Sequence, residues 1–291
     1  MGFKHGLFAA VIGLAVMGAH ATTTAEARDA EEKLAWQNAK KVAQHGPQNI
    51  ALLDQGTLRL EPGKVFIPKA EAIALLKAWG NQPNEDLLGV VMPEDGEWFS
   101  TLRYEKAGFI KDDDAKDWNA DDLLKSVREG TDEANKERVA RGVPELEIKG
   151  WAEKPAYQAD NHHLVWSIVA QSKGDQTVPV INYNTYALGR DGYFVLDMVA
   201  DQSRIEADKP AAKALLNDLE YVKGKAYGDF DSSTDKVAEY GLAALVVGVA
   251  AKKLGLLAMG ALFFAKFFKI IAIAVLGGGA AVKKFFSRKS A

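Results

Sequence analysis

From residue 146 onward apolar and polar positions alternate with a period of two, over 146–152, 163–170, 178–188 and 193–199. A period of two sends successive side chains to opposite faces, so it predicts four strands. Asp160-Asn161, Lys173-Gly174-Asp175 and Gly189-Arg190-Asp191-Gly192 mark the turns between them. Upstream the pattern is mixed. Residues 26–45 are charged on most faces, with Leu34, Trp36 and Val42 as apolar contacts, and predict a helix stopped by Gly46-Pro47. Short strands follow at 50–53, 57–60 and 65–67, and Pro68 opens a second helix that ends near Trp79. Residues 87–92 and 98–104 read as a hairpin around Pro93-Glu94-Asp95-Gly96. Asn119, followed by Asp122 and then Leu123, Leu124 and Val127, caps a third helix that runs to Arg141. A fourth helix at 203–216, a strand at 219–222 and a Gly/Asp/Ser linker at 228–234 complete the body. Strand meanders broken by blocks of helix predict an α+β fold with a mainly antiparallel sheet. No internal repeat or linker divides it.

The two ends follow a different plan. Residues 7–17 form an apolar stretch behind Lys4 and His5, and Ala19-His20-Ala21 supplies small residues for cleavage. This is the pattern of a secretory signal peptide over residues 1–21. An exported body over 22–235 and a C-terminal anchor over 236–291 are then expected. The whole chain has 36 cations and 39 anions. From Lys236 onward 9 cations face Glu239 alone, which leaves 27 cations against 38 anions for the rest. An acidic body is thus joined to a basic, apolar end, the charge arrangement of a protein held at a membrane.

The apolar runs at 240–251, 254–265 and 270–282 are each shorter than the ~20 residues of a full span. A continuous helix over 254–282 is long enough but places Lys266 and Lys269 near its middle. At ~100° per residue, Lys252, Lys266, Lys269, Lys283 and Lys284 fall on about 140° of one face. Two arrangements fit: a C-terminal membrane helix, or an amphipathic helix lying in the interface. The apolar excess favours the span. The basic end from Lys283 to Lys289 is expected on the cytoplasmic side of a bacterial inner membrane, with the body in the periplasm. Gly241, Ala244, Gly248, Ala251, Gly255 and Ala258 recur at spacings of three and four. Small residues at that spacing form a stripe that lets two membrane helices approach, so a second membrane protein or a second copy is an expected partner.

Candidate chemistry is sparse. There is no cysteine, which removes disulfides, thiolate ligands and thiol nucleophiles. Asp112, Asp114 and Asp117 form an acidic run able to ligate calcium. However, the positions that a calcium loop gives to glycine and glutamate hold Asp117 and Leu123. Acids ahead of a helix also complement its dipole, which is the simpler explanation. His162 and His163 are neighbours, so in a strand they point to opposite faces. Neither a nucleophile elbow nor a phosphate loop nor a dinucleotide fingerprint is present, and no cofactor is expected. Nucleic acid does not fit an acidic exported body. Three of the six tryptophans lie in predicted strands, where packing is the default role.

Several segments together resemble a known family: GFIKDDDAKDW at 108–118, GTDEANKER at 130–138, GWAEKP at 150–155, Asn182-Tyr183-Asn184, LGRDG at 188–192 and STDKVAEYG at 233–241. The chain resembles the bacterial family of uncharacterized membrane-anchored proteins built on a domain of unknown function, from about Trp36 to the C-terminus. The resemblance implies a signal peptide and a C-terminal anchor, and no catalytic residues. The expected role is a non-enzymatic one, in protein interaction or envelope maintenance. The alternatives are an envelope hydrolase with its site near Asp112–Asp117, and a periplasmic ligand sensor.

Overall fold

The computed structural model describes residues 25–247, except 80, 82, 97, 141–143 and 175–178; side chains are described from residue 30. The chain opens with α1 (Ala25–Val42) and the short β1 (Gln44–His45), followed by β2 (Gln48–Leu52), β3 (Gly56–Leu60) and β4 (Lys64–Pro68). Next come α2 (Lys69–Ala78), β5 (Leu87–Pro93), β6 (Phe99–Glu105) and the long α3 (Ala120–Ala140). The second half consists of β7 (Leu146–Gln158), β8 (His163–Ser172), β9 (Val180–Leu188), β10 (Tyr193–Asp201), α4 (Ile205–Asn217), β11 (Leu219–Tyr221) and α5 (Leu242–Val247).

Eight strands form one antiparallel sheet in the order β1-β4-β5-β6-β10-β9-β8-β7, and β11-β3-β2 form a second, smaller one. The α+β class with a large antiparallel sheet is therefore present. The strand β10 joins the two halves, pairing with β6 over Tyr193↔Glu105 to Val199↔Phe99 and with β9 over Tyr193↔Leu188 to Asp201↔Val180. Every residue from Tyr193 to Ala200 is buried, because both faces of the sheet are covered.

On one face Phe194, Leu196 and Met198 pack with Leu58 and Leu60 of the small sheet and with Leu215 and Leu216 of α4. On the other, Phe99, Val90 and Val199 pack with Ala72, Leu75 and Leu76 of α2 and with Ala35 and Ala39 of α1. Trp151 and Trp166 make a cross-strand edge-on pair with centroids 6.0 Å apart, the packing role expected of strand tryptophans.

Three local expectations are corrected. The first helix ends at Val42, and Gln44 and His45 instead pair with Phe66 and Val65 of β4. The strand expected over 146–152 continues to Gln158 through Pro155. It is the edge of the sheet, where a proline costs no ladder bond, and its register shifts three times. His162 is not in a strand: it occupies the turn before β8 with φ 57°, and only His163 enters the ladder. Among the described residues no helix is long and apolar enough to cross a membrane. The expected span at 254–282 lies outside them.

Candidate functional site

The expected linker at 228–234 is instead the start of a strap that crosses the body and ends in α5. Arg190 grips it with two parallel bonds, Nε to Asp235 Oδ2 at 2.7 Å and a terminal nitrogen to Oδ1 at 2.9 Å. That contact holds the Asp235 carboxyl well below the ordinary carboxylate range. Phe109 then brackets Lys236 and Ala238: its N–H donates to Lys236 O at 2.8 Å and its carbonyl accepts from Ala238 N at 2.9 Å. Gly108 permits this closeness. It has φ 90°, and a Cβ there would stand 2.6 Å from Lys236 O.

Residues 236–247, expected from sequence to belong to the anchor, thus pack on the body. Leu242, Leu245 and Val246 of α5 are buried, and Tyr186 Oη donates to Leu245 O at 3.0 Å.

The acidic run stands against this strap. Asp114 accepts from Leu242 N at 3.1 Å through Oδ1 and from Ala243 N at 3.0 Å through Oδ2, so it caps α5 from far away in sequence. Gly241 faces the same carboxylate; a Cβ there would lie 2.6 Å from Asp114 Oδ2. Asp112 Oδ2 accepts from Tyr157 Oη at 2.8 Å, and the same phenol oxygen lies 2.9 Å from His162 Nδ1. Burial, then the hydrogen bond to Asp112, push the Tyr157 phenol upward, so it keeps its proton and donates it to the carboxylate. His162 Nδ1 must then be the donor toward Tyr157. The imidazole stacks on Tyr227 at 4.0 Å, Tyr227 Oη donates to Ile110 O at 2.8 Å, and Phe230 stacks on Phe109 at 3.8 Å.

Asp117 is exposed, with its N–H bonded to Asp114 O. Asn119 Oδ1 caps α3 by accepting from Asp121 N at 2.8 Å and Asp122 N at 3.3 Å. Among the described residues no group of three or more His, Cys, Asp or Glu is placed to hold a metal. Asp112 and Asp114 therefore stand at one contact but serve different partners, and Asp117 serves neither. Of the small-residue stripe, Gly241 and Ala244 lie on the strap; Gly248, Ala251, Gly255 and Ala258 lie outside the described residues.

A second polar group sits inside the sheet. Thr101 of β6 pairs directly with Asp197 of β10, and Asp197 with Asn184 of β9, so their side chains share one face with Arg103 and Asn182. Arg103 bridges two carboxylates, Asp197 Oδ2 at 2.6 Å and Asp86 Oδ2 at 3.3 Å. Those carboxylates raise the guanidinium pKa above its ordinary value despite the opposing effect of burial, the largest single influence. Thr101, Asp197, Asn184 and Asn182 are buried.

The sequence carried one signal for this strip: Asn182, Asn184 and Asp197 interrupt strands made mostly of apolar and aromatic residues. Nothing in the local pattern announced Tyr157, Arg190 or Tyr227, whose partners Asp112, Asp235 and Ile110 are distant.

Residues 44–277 match the family described as Protein of unknown function (DUF2167), and the chain belongs to that family. The match runs through the strap and past α5. Comparison with the curated proteins gave no match. Among solved structures, the chain is similar to cyanobacterial PsbP (CyanoP) from Synechocystis sp. PCC 6803, at 8% identity, over 60% of this chain and 91% of that one, with a TM-score of 0.39. It is also similar to the Saccharomyces cerevisiae Ran-binding protein Mog1p, at 9% identity, over 65% of this chain and 100% of that one, with a TM-score of 0.32.

Proposed function

We propose that this chain is an exported body held at a bacterial inner membrane, acting by binding rather than by catalysis. The observation that carries this reading is the capping of α5 by Asp114. The acids that the sequence offers for chemistry hold the segment leading to the apolar, lysine-rich end. A hydrolase needs a carboxylate or imidazole free to act on water or substrate. Here Asp112 serves Tyr157, Asp114 serves a helix, and His162 is stacked and bonded. The signal-peptide pattern at 1–21 supports export, and the positive end after Lys283 supports a cytoplasmic C-terminus. Interaction with another membrane protein or with a second copy is supported by the rest of the small-residue stripe, at Gly248, Ala251, Gly255 and Ala258.

A reporter active only outside the cytoplasm tests the arrangement. Fused after Val247 it should be active, and fused after Ala291 silent, with the full chain retained in carbonate-washed membranes. Activity at Ala291, or release of the full chain by carbonate, would overturn the reading.

A further inference from the structure

Buried polar atoms in folded proteins almost always have partners, so a cluster without them indicates what is designed to bind there. On the face of the sheet that carries Arg103, six such atoms lack a hydrogen-bond partner within the protein: Asp86 Oδ1, Thr101 Oγ1, Arg103 Nε, Trp166 Nε1, Asn182 Oδ1 and Asp197 Oδ1. Thr101, Asn182 and Asp197 are 2%, 7% and 4% exposed, so solvent does not satisfy them from outside. Three of the six are pure acceptors, two are pure donors, and Thr101 can be either. Two carboxylates against one guanidinium leave one formal negative charge. Such a group is costly to bury unless a cation with donors to give lies beside it.

The geometry points to a binding site for a small primary ammonium compound that also carries an oxygen acceptor. An ammonium has one positive charge and three N–H donors, which answers the charge and the acceptor excess together. Its place is beside Asp197, which stands between Thr101 on one neighbouring strand and Asn182, two residues from Asn184, on the other. The oxygen answers the pure donors of the set, Arg103 Nε and Trp166 Nε1. A divalent metal suits the site less well, because the guanidinium bonded to both carboxylates repels it and would leave a surplus positive charge. Arg103 and Asp86 keep 21% and 18% of their side chains exposed, which marks the side from which a ligand enters. The site lies wholly in the body and does not depend on how the chain meets a membrane.

The probe is ethanolamine, titrated calorimetrically into the full chain in detergent at constant ionic strength, with the Trp166 indole N–H followed by NMR. Trp166 sits opposite Asn184 in the next strand and reports on the same face. Saturable binding should appear with ethanolamine and not with ethylene glycol or potassium chloride. Thr101→Val and Asn182→Leu leave the ion pairs intact and should each weaken binding about tenfold, the loss of one hydrogen bond to a charged group. Asp197→Asn should abolish it, and if that variant misfolds the two neutral changes decide. No saturable heat would mean that the strip is merely hydrated and overturn the assignment. So would equal binding of potassium or the glycol, or unchanged affinity in both folded variants.

Discussion

A single methyl group at position 241 would test how the strap is held. The Cβ of an alanine there would come within 2.6 Å of Asp114 Oδ2, the atom that accepts from Ala243 N. Its two hydrogen bonds, from Leu242 N and Ala243 N, hold the carboxylate where that methyl would stand. Gly241→Ala should therefore displace the cap and cost about 1 kcal/mol, as Asp114→Ala should by removing it. The two changes act on one contact, so the double variant should lose little more than either single one. Additive losses in thermal unfolding would mean that Gly241 and Asp114 act separately. Neither residue carried this role in its sequence neighbourhood. Gly241 stood in a small-residue stripe and Asp114 in an acidic run, and only a contact across more than a hundred residues joins them.

At the scale of elements, periodicity was a good guide where an element's identity depends on its own residues. The run of apolar and aromatic residues at 193–199 found β10, and Asn119 marked the start of α3. It was a poor guide where the structure depends on partners. The strand β7 runs past Pro155 because an edge tolerates it, and the strap looks like a linker because Gly228, Asp229 and Asp231 favour turns. The strap's electrostatic hold gives a testable pH dependence. Arg190 depresses the Asp235 carboxyl, so its contribution to stability is fully present above about pH 4 and is lost as pH falls through the lowered folded value. Asp235→Asn should flatten the acid limb of a melting-temperature profile. An acid limb identical to the wild type would show that this pair does not secure the strap.

For the whole molecule, the strap carries the folded body past 235, through Val247 among the described residues. A chain ending after Thr234 loses the Arg190 grip, the Phe109 bracket and the buried Leu242, Leu245 and Val246. It should melt well below a chain ending after Val247, by an amount equal to several buried side chains at about 2 kcal/mol each. Equal melting temperatures would return residues 236–247 to the anchor.

The position of β10 has a further consequence, for the order in which the chain can fold. Its partner β6 is complete at Glu105, yet Tyr193, which pairs with that residue, emerges only after β7, β8 and β9. Until then β6 is paired with β5 on one edge only, its other edge has no mate, and the two halves of the large sheet are unconnected. Non-local closure of this kind is slow, because loop entropy is lost before the pairing repays it. A chain that folds late in this way stays extended and open to chaperones while its C-terminal half is still arriving. That delay would leave time for the export proposed above, before the sheet locks.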